Sequence, residues 1–574
     1  MIRRMTIGAA ALLFATYAAA QQLSFREIPS ATTGGAPIDV AEPPQGSPIF
    51  IELEGNKVGV LVQSGNVREY PIPTPDSGPM SIVYVAANTP ACASGFEFWF
   101  TESRANRIGR VCYIPNFDFN PSLPSLTFLA EISIPTPNSE PRGIVLGQSS
   151  VIWFTEFEGN KIGRAQDVGA TEFPVPTPGS GPSGIAFDSS TGMIWFTELR
   201  ANKIGRLDPA TGVITEFPIP TPNSGPVEIV ISGGDFWFTE SNAGKIGRIS
   251  REGVITEYAL PDPTSRPSGI EHDPNGGGWF TERAAGRIGR AKPDGTIKEF
   301  PLPTSSSAPA GISVGQRGFG GRPRIVVAES GADQLAVAEA DYLVILGAGS
   351  TIPPGPGAPA LWDTEIQVSN PEDYGVGVVL SETDFPGPCQ RAFCGQISLY
   401  PPPHGTATQF ISGILRGSAG LESWFASPVG LDIPTVQARV MNRENPLLSV
   451  QLPVVRYSTI ASLDPAVLSF AGAEKSSAGA RSNLFLTNLL PSERSMTALV
   501  EVFSPTGELL GSQTVALEFR RTIFLTDIVG RFGVVELRNG QVRVRKVDGA
   551  GLLWGLLATI REDGGLTATL GANP

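Results

Sequence analysis

Two histidines are all that the 574 residues supply. His272 stands in Glu271-His272-Asp273-Pro274, and His404 in Pro401-Pro402-Pro403-His404-Gly405. A histidine flanked by carboxylates can serve as a general base, polarised by Glu271 or Asp273. Its bland alternative is an exposed turn residue, since Asn275-Gly276-Gly277-Gly278 follows at once, and that alternative is the stronger expectation. Carboxylates are more regular. Glu52, Glu102, Glu156, Glu198, Glu240, Glu282 and Glu329 recur along the chain, and a ring of such groups could bind a cation. An acid required at every repeat is more simply structural. The hairpin would pair Glu156 with Lys161 across two strands, an interaction worth ~0.2–1 kcal/mol.

Stepping outward from these residues, the chain shows what must position them. Trp-Phe-Thr-Glu begins at Trp99, Trp153, Trp195, Trp237 and Trp279, each followed by Gly-Arg, and the last three intervals are 42 residues. Degenerate copies end in Glu52 and Glu329, making seven. Within the third copy four short strands can be read at 143–146, 151–156, 161–164 and 170–174, with no helical periodicity. A four-stranded unit cannot bury both faces alone, so units of this length stack around an axis. The expected fold is all-β: a seven-bladed β-propeller over 21–340. The fourth residue after the motif Glu is Asn56, Asn106, Asn160, Asn202, Gly244, Gly286 or Asp333, the types that tolerate positive φ. Each Trp is expected to pack between blades with the Gly-Arg arginine over it, and Gly163 to leave room for Phe154. Pro-Thr-Pro segments at Pro73, Pro135, Pro176 and Pro220 are the inter-blade links.

Chemistry would then sit where the repeats differ. The residue after each blade-start proline is Ile38, Met80, Arg142, Ser183, Val227, Ser268 or Ala310. Arg142 and Glu228 break a mostly small or apolar series, and with Ser183 and Ser268 they are the candidate ligand-binding residues of the central opening. A rim salt bridge is the structural alternative for the two charges.

Beyond about residue 340 the repeat stops. Thr351–Pro359 has linker composition, and two segments with weak mutual similarity follow, expected as β-sandwich modules at 360–455 and 456–574. Asp363–Pro371 resembles Ser482–Leu490, Gly405–Ile414 resembles Arg521–Val529, and Gln437–Val440 resembles Gln541–Val544. Residues 1–20 have the form of a secretory signal: Arg3 and Arg4, an apolar stretch, then Ala18-Ala19-Ala20. Its apolar run is about half of the ~20 residues a span needs. The protein is therefore expected to be exported, periplasmic or extracellular, with no membrane span after cleavage, and a monomer. Its net charge of −13 and lack of a basic cluster exclude nucleic acid as a partner. In an exported chain Cys92 with Cys112, and Cys389 with Cys394, are expected to form two local disulfides in insertions.

The Trp-Phe-Thr-Glu, Asn-Lys-Ile-Gly-Arg and Pro-x-Gly-Ile signatures together resemble the virginiamycin B lyase (streptogramin lyase) family over roughly residues 35–340. The resemblance implies a lyase that opens the ester-linked ring of streptogramin B antibiotics by elimination, with Mg²⁺. It also implies catalytic histidines at blade starts, in a Pro-His-small-Ile pattern with a Glu close by. None of the seven blade-start positions holds His here. Two functions stay open: a propeller binding a small molecule or protein at its central opening, the preferred reading, and an active lyase using His272 with Glu271.

Overall fold

The computed structural model describes Leu23 and residues 25–339, apart from 44–46, 63–65, 86–91, 93–94, 115–124, 167–168, 275 and 316–323. Beyond 342 it describes the strands given below and the turns at 476–480, 504–508 and 526–536. The leader at 1–20, the linker 351–359, His404, Cys389 and Cys394 lie outside the described residues. The chain divides into two compact units, 1–339 and 340–574.

The first unit is a propeller of seven four-stranded antiparallel sheets. Blade 4 is typical, with strands Pro182–Phe187, Ile194–Glu198, Lys203–Leu207 and Ile214–Pro218 in spatial order. The first strands of blades 1 to 7 begin at Pro37, Pro79, Pro141, Pro182, Pro226, Pro267 and Pro309, and each touches the next, the seventh closing on the first. Blade 7 takes its outermost strand, Arg26–Pro29, from the start of the chain. That strand precedes the first recognisable repeat, so no motif announces it.

Local sequence explains the blade. Every residue at the fourth place after the motif Glu has positive φ, from 51° to 59°. Asn160 does more than turn the chain. Its amide donates to the carbonyls of Val175 and Thr177 (3.1 Å each), and its Oδ1 accepts from Ser180 N at 2.7 Å. At Gly244 and Gly286 a side chain would strike the backbone of Pro263 and Ser305, so glycine is required. The motif Trp residues fill the spaces between blades: Trp195 stacks on Phe236 of blade 5 with centroids 4.3 Å apart, and Arg206 lies 5.4 Å above its ring. A Cβ on Gly163 would overlap Phe154, so that position needs glycine for packing.

One expected pair is not made. Glu156 and Lys161 are opposite in register, but Lys161 Nζ lies 2.5 Å from Glu172 Oε2, on the fourth strand. Lys161 remains 29 % exposed while Glu156 is wholly buried, so the ammonium keeps its hydration by choosing the outer carboxylate. The Cys92–Cys112 disulfide is present, but Cys112 lies inside the third strand of blade 2, Arg107–Ile114, and only Cys92 is in a loop.

The second unit is also built of strands. A five-stranded sheet contains Leu343–Ser350, Val378–Glu382, Gln396–Leu399, Gly420–Pro428 and Val454–Arg456, and a four-stranded sheet contains Trp362–Ser369, Thr406–Phe410, Thr435–Asn442 and Ser449–Leu452. An eight-stranded sheet spans Val467–Leu570. It buries the alternate residues Leu468, Phe470, Leu484, Leu486, Met496, Val500, Val502, Val542 and Val544. The similar segments share a partnership: 406–410 pairs with 362–369 as 522–525 pairs with 481–488. The third pair does not, because 435–442 joins 362–369 while 537–549 joins 467–475 and 496–503.

Candidate functional site

The seven first strands surround a cavity of about 880 Å³ on the propeller axis. Each of these strands shifts register just after its opening proline, between Pro267 and Ile270 in blade 6. The bulge turns consecutive residues toward the axis. Ile38, Met80, Arg142, Ser183, Val227, Ser268 and Ala310 all line the cavity, as the spacing predicted.

The motif threonine holds these positions in place. Thr197 Oγ1 accepts from Gly184 N on its own first strand (2.8 Å) and donates to Val227 O on the first strand of the next blade (2.8 Å). Thr155, Thr239 and Thr281 make the same two bonds, reaching Ser183 O, Ser268 O and Ala310 O at 2.7 Å. A single buried hydroxyl therefore sets the height of five of the ring residues, Arg142, Ser183, Val227, Ser268 and Ala310, against the blade before.

The charged residues divide into groups. Arg142 lines the cavity, but its guanidinium lies 3.2 Å from the ring centroid of Phe157 and 3.5 Å from Glu140. Burial holds its pKa below the usual arginine value, with Glu140 opposing that shift. Arg142 and Glu228 form no ion pair with each other. Glu228 instead lies over Gly184, where a side chain would strike its carboxyl, and accepts from Ile229 N. Burial pushes its pKa up to about 8, and the nearby Asp39 and Glu271 add to the rise.

Asp39 is the residue that sequence reasoning missed. Like Glu228 it stands two places after a blade-start proline, and that shared offset was the available signal. Its carboxylate accepts from Ser81 Oγ (2.9 Å), Ile82 N (3.0 Å) and Val40 N (2.9 Å). Burial nevertheless raises its pKa to about 6.

His272 corrects an expectation. It is not a turn residue away from the axis but the last residue of the first strand Pro267–His272, and it lines the cavity with Glu271. The strand takes in His272, which pairs with Gly278, and the turn carrying Gly276 and Gly277 at positive φ comes after it. His272 Nδ1 and Glu271 Oε1 are 2.7 Å apart. That bond raises the pKa of the imidazole, with burial opposing it. Ser183 and Ser268 sit at the opposite end of their strands from the level of His272.

A divalent ion does not fit this set. Asp39 already accepts three hydrogen bonds, and no group of three metal-binding side chains occurs among the described residues. No helix among the described residues is long and apolar enough to cross a membrane.

Comparison with known proteins places the propeller. The model of the virginiamycin B lyase family matches residues 97–320. The structure of virginiamycin B lyase from Staphylococcus aureus is 34 % identical, spanning 55 % of this chain and 99 % of that one, with a TM-score of 0.48. A catalytically inactive histidine-to-alanine variant of the Staphylococcus aureus enzyme, solved with quinupristin, is 33 % identical over 55 % of this chain and 99 % of its own, with a TM-score of 0.47. No curated protein matches the chain.

Proposed function

The chain belongs to the virginiamycin B lyase family through its propeller, and we propose that this member binds a ligand in its central cavity without eliminating across it. One observation carries the reading. All seven residues that follow a blade-start proline line one cavity, and none is a histidine. An elimination needs a base for the proton beside a carbonyl and an acid for the departing oxygen, and no imidazole at this level of the ring supplies either. What remains is a shaped pocket with apolar walls, carboxyl groups at Asp39, Glu228 and Glu271, hydroxyls at Ser183 and Ser268, and Arg142 at its edge. That mixture suits recognition of a polar small molecule or an exposed protein segment.

The position of His272 favours a second reading, an active lyase in which Glu271 orients His272 as the base. Against it stands the place of His272, at the other end of its strand from the blade-start position to which the resemblance assigns the catalytic histidines. The reading extends to an exported monomer, with a secretory leader at 1–20 and β-sandwich modules at 360–455 and 456–574 that would dock to a surface or partner, and the Cys92–Cys112 bridge is compatible with export.

Incubation of the purified full chain with quinupristin and Mg²⁺, following ring opening, separates the readings. We expect no turnover. Ring opening that disappears in His272→Ala would establish the lyase instead.

A further inference from the structure

Each blade holds one carboxyl group that the cavity does not use and that the fold has removed from water. Glu52, Glu102, Glu156, Glu198, Glu240, Glu282 and Glu329 have no exposed surface. In the first five neither oxygen meets a donor, and in Glu282 and Glu329 Oε1 meets none. An ionised carboxylate so placed would lack any compensation for its lost hydration.

The neighbours explain how such a group is tolerated. Glu156 faces Ser139, Glu172 and Lys161. The one hydroxyl proton of Ser139 goes to Asn106 Oδ1 at 2.7 Å, and the Asn106 amide is itself committed to the carbonyls of Ile134 and Thr136. Toward Glu156 the serine can therefore only accept. Glu172 is also an acceptor, taking Thr136 N, Thr136 Oγ1 and Lys161 Nζ at 2.8, 2.8 and 2.5 Å. Lys161 gives its ammonium to Glu172 and Thr136. A group surrounded by acceptors has to bring its own proton. The geometry repeats. Glu198 faces Ser180, whose proton goes to Asn160, together with Glu216 and Lys203. Glu102 faces Ser77, whose proton goes to Asn56, together with Glu131 and Arg107. Glu52 faces Glu69, Lys57 and Ser30, whose hydroxyl goes to the carbonyls of Thr32 and Asp333. Glu240 faces Glu257, Lys245 and Ser224, whose hydroxyl has no other partner. Glu282 and Glu329 differ, because Oε2 accepts from Arg287 Nη2 at 3.2 Å in the one and from Gln334 Nε2 at 2.8 Å in the other.

We propose that the motif glutamates of blades 1 to 5 are neutral carboxylic acids whose protons belong to the clasp between blades, so that the propeller is a proton-dependent ring that alkali loosens. In blades 1 to 5 and 7 the outer carboxylate grips the linker entering its blade, and the buried acid closes the clasp. Burial is the leading cause that raises the pKa of all seven, to about 7 for Glu102, Glu156 and Glu329 and about 8 for Glu52, Glu198 and Glu240. Raised values in the folded state mean that this contribution is complete below the ordinary carboxylate range and is lost as the pH climbs through 7 to 8. The outer partners Glu69, Glu172, Glu216 and Glu257 have lowered values and act the other way, their contribution fading only in acid below the ordinary range. The ring is thus held best between these limits, in mildly acidic solution.

Infrared spectroscopy of the full chain in D₂O reads the protons directly. The background is an Asp39→Asn, Glu228→Gln variant, which removes from the signal the two cavity acids whose pKa burial raises. We expect a protonated-carboxyl band at about pH 6 that vanishes by about pH 9. It should weaken stepwise in Glu156→Gln and Glu198→Gln. The thermal midpoint should fall by several degrees over the same pH range, and less in the glutamine variants. A band that glutamine substitution leaves unchanged, no band at about pH 6, or a midpoint that holds or rises toward pH 9 would overturn the proposal. The pH scan of the unsubstituted chain decides the matter even where a variant fails to fold.

Discussion

The first and second strands of each blade lie side by side, yet their sequences behave in opposite ways. Second strands carry Trp-Phe-Thr-Glu in five of seven blades and its Glu in all, while the residues at the start of the first strands run Ile, Met, Arg, Ser, Val, Ser and Ala. The difference follows from what each strand touches. Second-strand side chains meet neighbours that recur from blade to blade: the aromatic of the fourth strand, the linker serine, the first-strand backbone. A first-strand residue meets the cavity, where repetition has no structural value. Threonine joins the two, since its buried hydroxyl fixes the height of a residue whose identity is free to vary.

The sharpest way to break this division is to cut the constant strand. Trp195→Ala removes a side chain only 1 % exposed that stacks on Phe217 and Phe236. It should cost about 3–5 kcal/mol in denaturant unfolding of the full chain. A loss under 1 kcal/mol would mean that the inter-blade stack is not what holds the ring. Gly163→Ala drives a methyl into Phe154 and should cost about 1–3 kcal/mol, although nothing polar is touched. Thr197→Val leaves Gly184 N and Val227 O without partners, for about 1–3 kcal/mol in the same measurement. It should also perturb ligand binding in the cavity, which Gly163→Ala should leave alone. Equal effects on binding from both would erase the distinction.

Substitutions on the variable strand should do the reverse. Ser268→Ala and His272→Ala should change stability by under about 0.5 kcal/mol, the range for positions outside the packed core, while altering affinity for any cavity ligand. Smallest is the response to pH. Asp39 and Glu228 ionise near 6 and 8, so the cavity becomes more negative across that interval. Binding of a cationic probe, followed by calorimetry, should strengthen from about pH 6 to about pH 8.5, and Glu228→Gln should remove most of the gain. A profile that the variant does not alter would show that Glu228 faces the wall alone.

Much of the scaffold was legible because its causes are local. Positive φ at Asn56 and its six counterparts, the glycine opposite Phe154 and the arginine over each motif Trp all depend on residues a few places apart. Errors arose where a side chain had a choice among distant partners. Lys161 took Glu172 over the residue opposite it, and His272 belongs to the first strand and lines the cavity. Asp39 escaped notice because it follows Ile38 in a degenerate repeat.

The sequence by itself determined the blade, the number of repeats and the places where they vary. Those properties come from short-range patterning, and a repeat states them several times over. Tertiary structure alone decided that Arg26–Pro29 would complete the seventh blade, that Asp39, Glu228 and Glu271 would share one cavity with His272, and that seven glutamates would lie beyond the reach of water. Each of these depends on closing a ring, which brings together residues as far apart as Glu27 and Thr304. No local pattern encodes that distance.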